Sequence, residues 1–600
     1  MKIKTYKSRN DIDKKYKWDL ESIYASIDEY YNDLDKLKKL ISKIVKYKGS
    51  VLASSNNLLE LLKLWIEHDQ MFDKLTKYIH LNNELDTRDD FYNARLNELI
   101  DFHSSIELET NFISEELKAL TPDLLDKFLR ETPALKDYEF LLRCTIRANA
   151  HLLSLESENL LTTLSPVLYT GDEVFSLLDD ADSEYPDVLD SKGKKHKLTN
   201  GSYASFMDGT DRVLRKNAGI ALHDYYRKHA NTLSCCLYNH VKTSVIEAKL
   251  RKYDSPLAQA LSYNDLDEKF YNNFIKSVND NLDTLHRMMK LTKKALKINT
   301  LHIYDINAKL SSGIKTKYTI EEMQDILLKA LAPLGKEYID GVKEAFSSNW
   351  IDYYETPGKR SGAFSTVSSI TKPYLLLNYT GTFGDLETFA HELGHSMHTY
   401  FANKYRTPID SDYPIFLAEI ASTANELLLN NYLLKTTNDK KLKRYLLSCM
   451  IARYRATIFR QTEFSEFESI IYEKVQNGKA LTKEDFTSIY YDLQKKYYGP
   501  LVKQDDYIKY ECLRIPHLYY NFYVYKYATS LAIAYKFVYS ILNKEKGAVE
   551  NYLHLLKSGG KDYPANILKE CNIDIKNENI LDYSIKMINN YMDEFEKLID

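Results

Sequence analysis

The run Gly384-Asp385-Leu386-Glu387-Thr388-Phe389-Ala390-His391-Glu392-Leu393-Gly394-His395-Ser396-Met397-His398 constrains the chain more tightly than any other stretch. Leu386, Phe389, Ala390, Leu393, Met397, Tyr400 and Phe401 recur at helical spacing and form one apolar stripe. On that helix His391 and His395 point almost directly away from the stripe, about one turn apart and roughly 40° round the axis from each other, so both imidazoles can close on one ion. Glu392 is displaced from the histidine face by roughly 60–100°, where its carboxylate can polarise a water held by the metal. This is the arrangement of metal-assisted amide hydrolysis. Asp385, after Gly384, is the expected N-cap.

A hydrolytic zinc needs a third protein ligand and one open position. His398 shares the histidine side, but about 10 Å of helix rise separates it from His391, so three imidazoles from one straight helix converge poorly. It reads as a packing or supporting residue. The amphipathic stretch 415–429, opened by Pro414, offers Glu419 among Phe416, Leu417, Ile420 and Ala421. An unpaired carboxylate is costly in that setting, and coordination relieves the cost. Glu426, seven residues on and almost on the same face, can accept the outward N–H of a ligand histidine. The competing reading makes both glutamates half-exposed helix carboxylates.

Composition excludes several other classes. The 81 basic and 85 acidic residues leave a net charge of −4, which gives no bulk reason to bind nucleic acid or an anionic membrane. No apolar leader follows the amino terminus and no run of about 18 apolar residues occurs, so neither secretion nor membrane spanning is expected. Six cysteines without metal-ligand spacing fit reduced thiols in a cytoplasm. Only 19 glycines and 13 prolines in 600 residues favour long helices over a turn-rich fold.

Along the chain, residues 18–185 read as successive amphipathic helices, including one over 140–161, with a helix end and start at Thr121-Pro122. A small hairpin turned at Gly193 follows, and it suggests a boundary between an N-terminal helical domain, 1–195, and a catalytic domain, 196–600. Helices resume through about residue 310, with Asp211-Arg212-Val213-Leu214-Arg215 opening one and Asp265-Leu266-Asp267-Glu268 another. Residues 358–367 and 373–379 are β-prone and predict a small antiparallel sheet beside the metal helix. Gly362 and Ala363 lack bulk, so a substrate backbone can approach there as an added strand; a tight structural turn explains them equally well. After Pro516, the spacing of Tyr520, Tyr523 and Tyr527 puts them on one helical face with His517 near its start. Their donors suit stabilisation of a developing oxyanion, and a packed aromatic stripe is the alternative.

These residues resemble zinc peptidases of the thimet oligopeptidase superfamily, and in particular the oligoendopeptidase F family. The likeness is carried by 391–398, by Ala418-Glu419-Ile420-Ala421-Ser422-Thr423, by Gly358-Lys359-Arg360-Ser361-Gly362-Ala363 and by 514–529; the opening Trp18-Asp19-Leu20-Glu21-Ser22-Ile23-Tyr24 also fits. The resemblance implies a mainly α, two-lobed helical zincin with a deep substrate channel, acting as an endopeptidase on oligopeptides. It implies one Zn2+ per chain on His391, His395 and Glu419, with Glu392 as general base. Gly362, Ala363 and Phe364 would pair with substrate backbone, and a histidine and tyrosines of the late segment would face the oxyanion, Tyr523 and Tyr527 ahead of Tyr520. The expected reaction is attack by a zinc-bound water whose pKa falls toward about 7, with Glu392 taking its proton and returning it to the departing amine. A related zinc carboxypeptidase and a non-catalytic peptide-binding scaffold are the rival readings.

Overall fold

The computed structural model describes residues 6–311 and 317–599, so the first five residues of the amino-terminal run lie outside it. The chain forms two compact units, each gathered from three segments. The first comprises Met1–His151, Lys315–Leu433 and Ser540–Asn572; the second comprises Leu152–Ile314, Leu434–Tyr539 and Ile573–Asp600. Residue 195 falls inside the second. Both units are mostly helical, as the scarcity of Gly and Pro predicts.

In the first unit the helices Ile27–Ile44, Ser55–Leu85 and Asp90–Thr110 bury Leu37, Leu58, Leu75 and Leu99 in one core. A three-stranded sheet joins that core through Tyr374 and Leu376: β1 is Ile351–Asp352, β2 is Phe364–Thr366 and β3 is Tyr374–Leu376. The order is β1-β3-β2. β2 and β3 pair antiparallel, with Ser365 opposite Leu375, as expected. β1 pairs parallel to β3, so the sheet is mixed rather than antiparallel throughout. Two residues are too few to show the alternation by which a strand is recognised in sequence.

The amino-terminal segment pins this sheet. The Trp18 indole donates to the backbone oxygens of Trp350 at 2.9 Å and Leu375 at 3.1 Å, and its backbone N–H donates to the Asp352 carboxylate at 3.1 Å. Asp352 is fully buried and also meets Lys359 Nζ at 2.8 Å and Arg9 Nη2 at 2.5 Å. Burial works against its charge, but the two cations outweigh burial and hold the carboxyl below its ordinary range.

Two helices follow the sheet. α1 runs Phe383–Tyr405 and α2 runs Ile415–Thr436. The N-cap of α1 is Thr382, three residues before the expected Asp385. Asp385 instead occupies the third helical position and returns its carboxylate to the Thr382 N–H at 2.9 Å, closing a capping box. The apolar stripe of α1 is buried as predicted: Leu386, Leu393, Met397 and Phe401 are inaccessible.

In the second unit, Asp211 and Asp267 cap the helices Arg212–Lys228 and Glu268–Asp280, as the pattern predicts. The hairpin pairs Val188–Leu189 with Lys195–His196 around Gly193 at φ 76°. The helix expected over 140–161 is two helices, Glu139–Asn149 and Leu155–Leu168. Ser154 starts the second by accepting from the Ser157 N–H at 3.3 Å, a local cap that competes with helix continuation.

Asp352→Ala leaves the Lys359 ammonium buried without its counter-charge, and is expected to lower unfolding free energy by about 3–5 kcal/mol. Denaturant unfolding at pH 7 measures this, and a wild-type midpoint would contradict it. Because the Asp352 pKa is lowered in the folded state, the stability it lends is present above the ordinary carboxylate pKa and is lost as pH falls through the lowered value.

Candidate metal centre

Helices α1 and α2 touch at Gly394. A Cβ built there would lie 2.5 Å from Ser422 Cα and 2.6 Å from the Ala421 backbone oxygen, a separation no side chain survives. Asn425 of α2 fastens the same crossing: its Nδ2 donates to the Ala390 oxygen at 3.1 Å while its Oδ1 accepts from Tyr338 at 2.8 Å. The flank of α1 beside the apolar stripe is therefore packed against α2.

This contact delivers Glu419 to the histidines. Glu419 Oε2 lies 3.7 Å from His391 Nε2 and 3.7 Å from His395 Nε2, and the two Nε2 atoms are 3.2 Å apart. Among the described residues these three form the one His/Cys/Asp/Glu group able to share an ion. Ser422, one turn on, donates to Glu419 Oε2 at 2.9 Å. The side chains of His391, His395 and Glu419 are 29%, 20% and 38% exposed, so the donors open to solvent on one side. The Glu419 carboxylate is thus not sealed among apolar neighbours as its sequence surroundings suggest.

The other ring nitrogens decide what the Nε2 atoms offer. His391 Nδ1 meets Glu426 Oε1 at 2.6 Å. With the His391 proton on Nδ1, its Nε2 lone pair, His395 Nε2 and a carboxylate oxygen converge on one point. Such lone pairs repel one another unless a cation sits between them, and their spacing lets one ion reach all three with bonds of about 2.0–2.2 Å. The donor set fits a divalent metal.

Neighbouring groups divide into those that join this point and those that do not. Burial pushes the Glu392 carboxyl up, with His391 and a backbone hydrogen bond from Ser365 acting the other way. Burial lowers His395 to about 4 and His398 to about 3. His398 is inaccessible and stacks on Tyr413 with ring centroids 3.6 Å apart, outside the donor group. Ser365 Oγ sits 2.8 Å from Ser396 Oγ, tying β2 to α1.

β2 is one of the two edge strands of its sheet, and the segment entering it is open at Gly362. A Cβ added to Gly362, which sits at φ 85°, would meet no atom within 4 Å. With Ala363 this glycine lines a cavity of about 250 Å³ that also touches Thr388 and Phe389, the turn of α1 preceding His391. The Phe364 ring turns instead toward Trp18, with centroids 6.3 Å apart.

In the second unit the structure brings His517, Tyr520, Tyr523 and Tyr527 together. The His517 ring lies 5.7, 6.2 and 5.9 Å from the three tyrosine rings in that order. They do not share one helical face. A short 3-10 turn, Pro516–Tyr519, gives way to a kink at Asn521 and Phe522, both with positive φ, and a new helix, α3, begins at Tyr525 and ends at Leu542. Only Tyr527 of the three tyrosines is helical.

Gly394, Ser422 and Asn425 were not recognised from sequence as parts of the site. The signal for Gly394 was present, since a glycine inside a strongly periodic helix costs about 1 kcal/mol against alanine and calls for a packing reason.

The profile described as Peptidase family M3 matches residues 205–587, and that described as Oligopeptidase F matches 116–185. The chain belongs to peptidase family M3. It is a metalloendopeptidase. Oligopeptidase PepF of Bacillus subtilis is 36% identical over 591 residues, covering 98% of this chain and 88% of that protein. An oligoendopeptidase F homologue of Lactococcus lactis is 35% identical, with 99% of each chain covered. A crystal structure of a peptidase from Chlamydophila abortus superposes with a TM-score of 0.93 at 34% identity, covering 99% of this chain and 100% of that one. The oligoendopeptidase F of Enterococcus faecium superposes at 0.73 with 30% identity, covering 96% and 99%. The helical fold with small sheets is the one those structures share.

Gly394→Ala is expected to push α2 away and weaken metal binding by about tenfold or more, the size of effect seen when groups orienting metal ligands are lost. Competition with a chelating dye measures this, and unchanged affinity would contradict the role given to the helix contact.

Proposed function

We propose that this metallopeptidase is zinc-dependent and cuts internal peptide bonds of unstructured oligopeptides. The observation that carries the reading is the convergence of His391 Nε2, His395 Nε2 and Glu419 Oε2, with His391 Nδ1 engaged by Glu426 and Glu392 alongside. Two imidazoles and one carboxylate are a usual donor set for a catalytic zinc with an open position. Zinc held there supplies a Lewis acid for the scissile carbonyl and lowers the pKa of water toward about 7.

The chain's own groups do the rest. Glu392 takes the proton of the attacking water on its carboxylate and later hands it to the departing amine. Glu426 holds the Nδ1–H of His391, which keeps Nε2 free to coordinate and orients the ring. The backbone at Gly362, Ala363 and Phe364 receives the substrate as a strand added to the β2 edge; the open space over Gly362 supports this. Phe364 serves through its main chain, since its ring packs on Trp18. His517, Tyr523 and Tyr527, with Tyr520 beside them, donate to the oxygen that gains charge in the transition state. Relatives named oligoendopeptidase F and oligopeptidase support the substrate class.

Glu392→Gln is expected to keep one zinc per chain while losing nearly all turnover. Metal analysis beside a peptide assay reads both, and an active variant would overturn the assignment. A peptide blocked at both ends is expected to be cut internally, to resist cutting after chelation, and to be cut again once zinc is restored. No cleavage of the blocked peptide, with cleavage of one bearing a free C-terminus, would favour a carboxypeptidase.

A further inference from the structure

The kink between Tyr520 and Tyr523 is built from two consecutive left-handed residues, Asn521 at φ 43° and Phe522 at φ 56°. Asparagine tolerates that region, whereas a bulky aromatic rarely enters it without being held. Here the holding groups are buried. Asn521 Oδ1 accepts from Tyr472 at 2.7 Å and from His240 Nε2 at 2.9 Å, and Ser244 Oγ lies 3.0 Å away. The Phe522 N–H donates to Glu468 Oε1 at 2.7 Å, and its ring packs on Tyr472 with centroids 4.6 Å apart. Glu468, Tyr472, His240 and Ser244 are all at most 4% exposed. A loop tip in an enzyme seldom has so many inaccessible side chains devoted to one backbone bend.

We propose that Asn521 is a positioning residue, whose side-chain oxygen, gripped by Tyr472, His240 and Ser244, holds the kink that sets Tyr520 and Tyr523 against His517. The inference rests on the donor role given above to the His517 and tyrosine cluster. If the bend relaxed to a helix continuing from Pro516, Tyr520 and Tyr523 would follow helical geometry and the cluster around His517 would open.

Asn521→Gly keeps the left-handed region accessible but releases the three donors; Tyr472→Phe removes the shortest of them from the other side. Each is expected to lower kcat on a doubly blocked peptide by about tenfold or more, because small misplacements of reacting groups are costly, while KM changes less than about threefold. In a Tyr523→Phe background, Asn521→Gly is expected to cost little further, since positioning has nothing left to position. Wild-type kcat in Asn521→Gly with Tyr523→Phe impaired overturns the positioning role and leaves the donor role standing, as do fully additive losses. Wild-type kcat in both Tyr523→Phe and His517→Ala overturns the donor role and this inference with it. Should Tyr472→Phe fail to fold, Asn521→Gly and its double variant decide the matter alone.

Discussion

The contact on which the donor group depends is the approach of two helix backbones at Gly394, where a single extra carbon would strike Ser422 and Ala421. Two imidazole donors four residues apart on one helix are set by helical geometry alone. The third donor of the group is not: Glu419 reaches the histidines only because α2 lies flush against α1 and is fastened by Asn425 and Tyr338. The glycine weakens α1 as an isolated helix, and the tertiary contact it permits outweighs that loss.

A second layer of constraint acts on the imidazoles. Glu426 claims His391 Nδ1, so the Nε2 lone pair of that ring is turned toward Glu419 and His395 before any ion arrives. Converging lone pairs are unfavourable in a site left empty, so the folded protein is predisposed to take up a cation. The arrangement links folding to the site: the packing that closes α1 on α2 also brings the three donors together.

Much of this was legible because two independent patterns coincide in α1. The apolar spacing places a core face, and the histidine spacing places a chemical face on the same helix. Glu419 and Glu426 were readable for a similar reason, being seven residues apart on a second periodic stretch. What escaped was whatever depends on partners distant in sequence. The tyrosine spacing after Pro516 imitates a helix, but Asn521 is held by Tyr472, 49 residues away, and by His240, 281 residues away, and these contacts override local periodicity. β1 escaped because it is two residues long. The N-cap of α1 was misplaced because Asp385 is as good a capping residue as Thr382, and only the closed box shows which of them starts the helix.

The most direct test of the central claim is X-ray absorption at the metal edge of the zinc-loaded protein. Two imidazole nitrogens and a carboxylate oxygen at about 2.0–2.2 Å, with no sulfur, are the expected protein ligands, and the carboxylate should vanish from the shell in Glu419→Ala. A shell unchanged by that substitution, or one containing thiolate, would contradict the account.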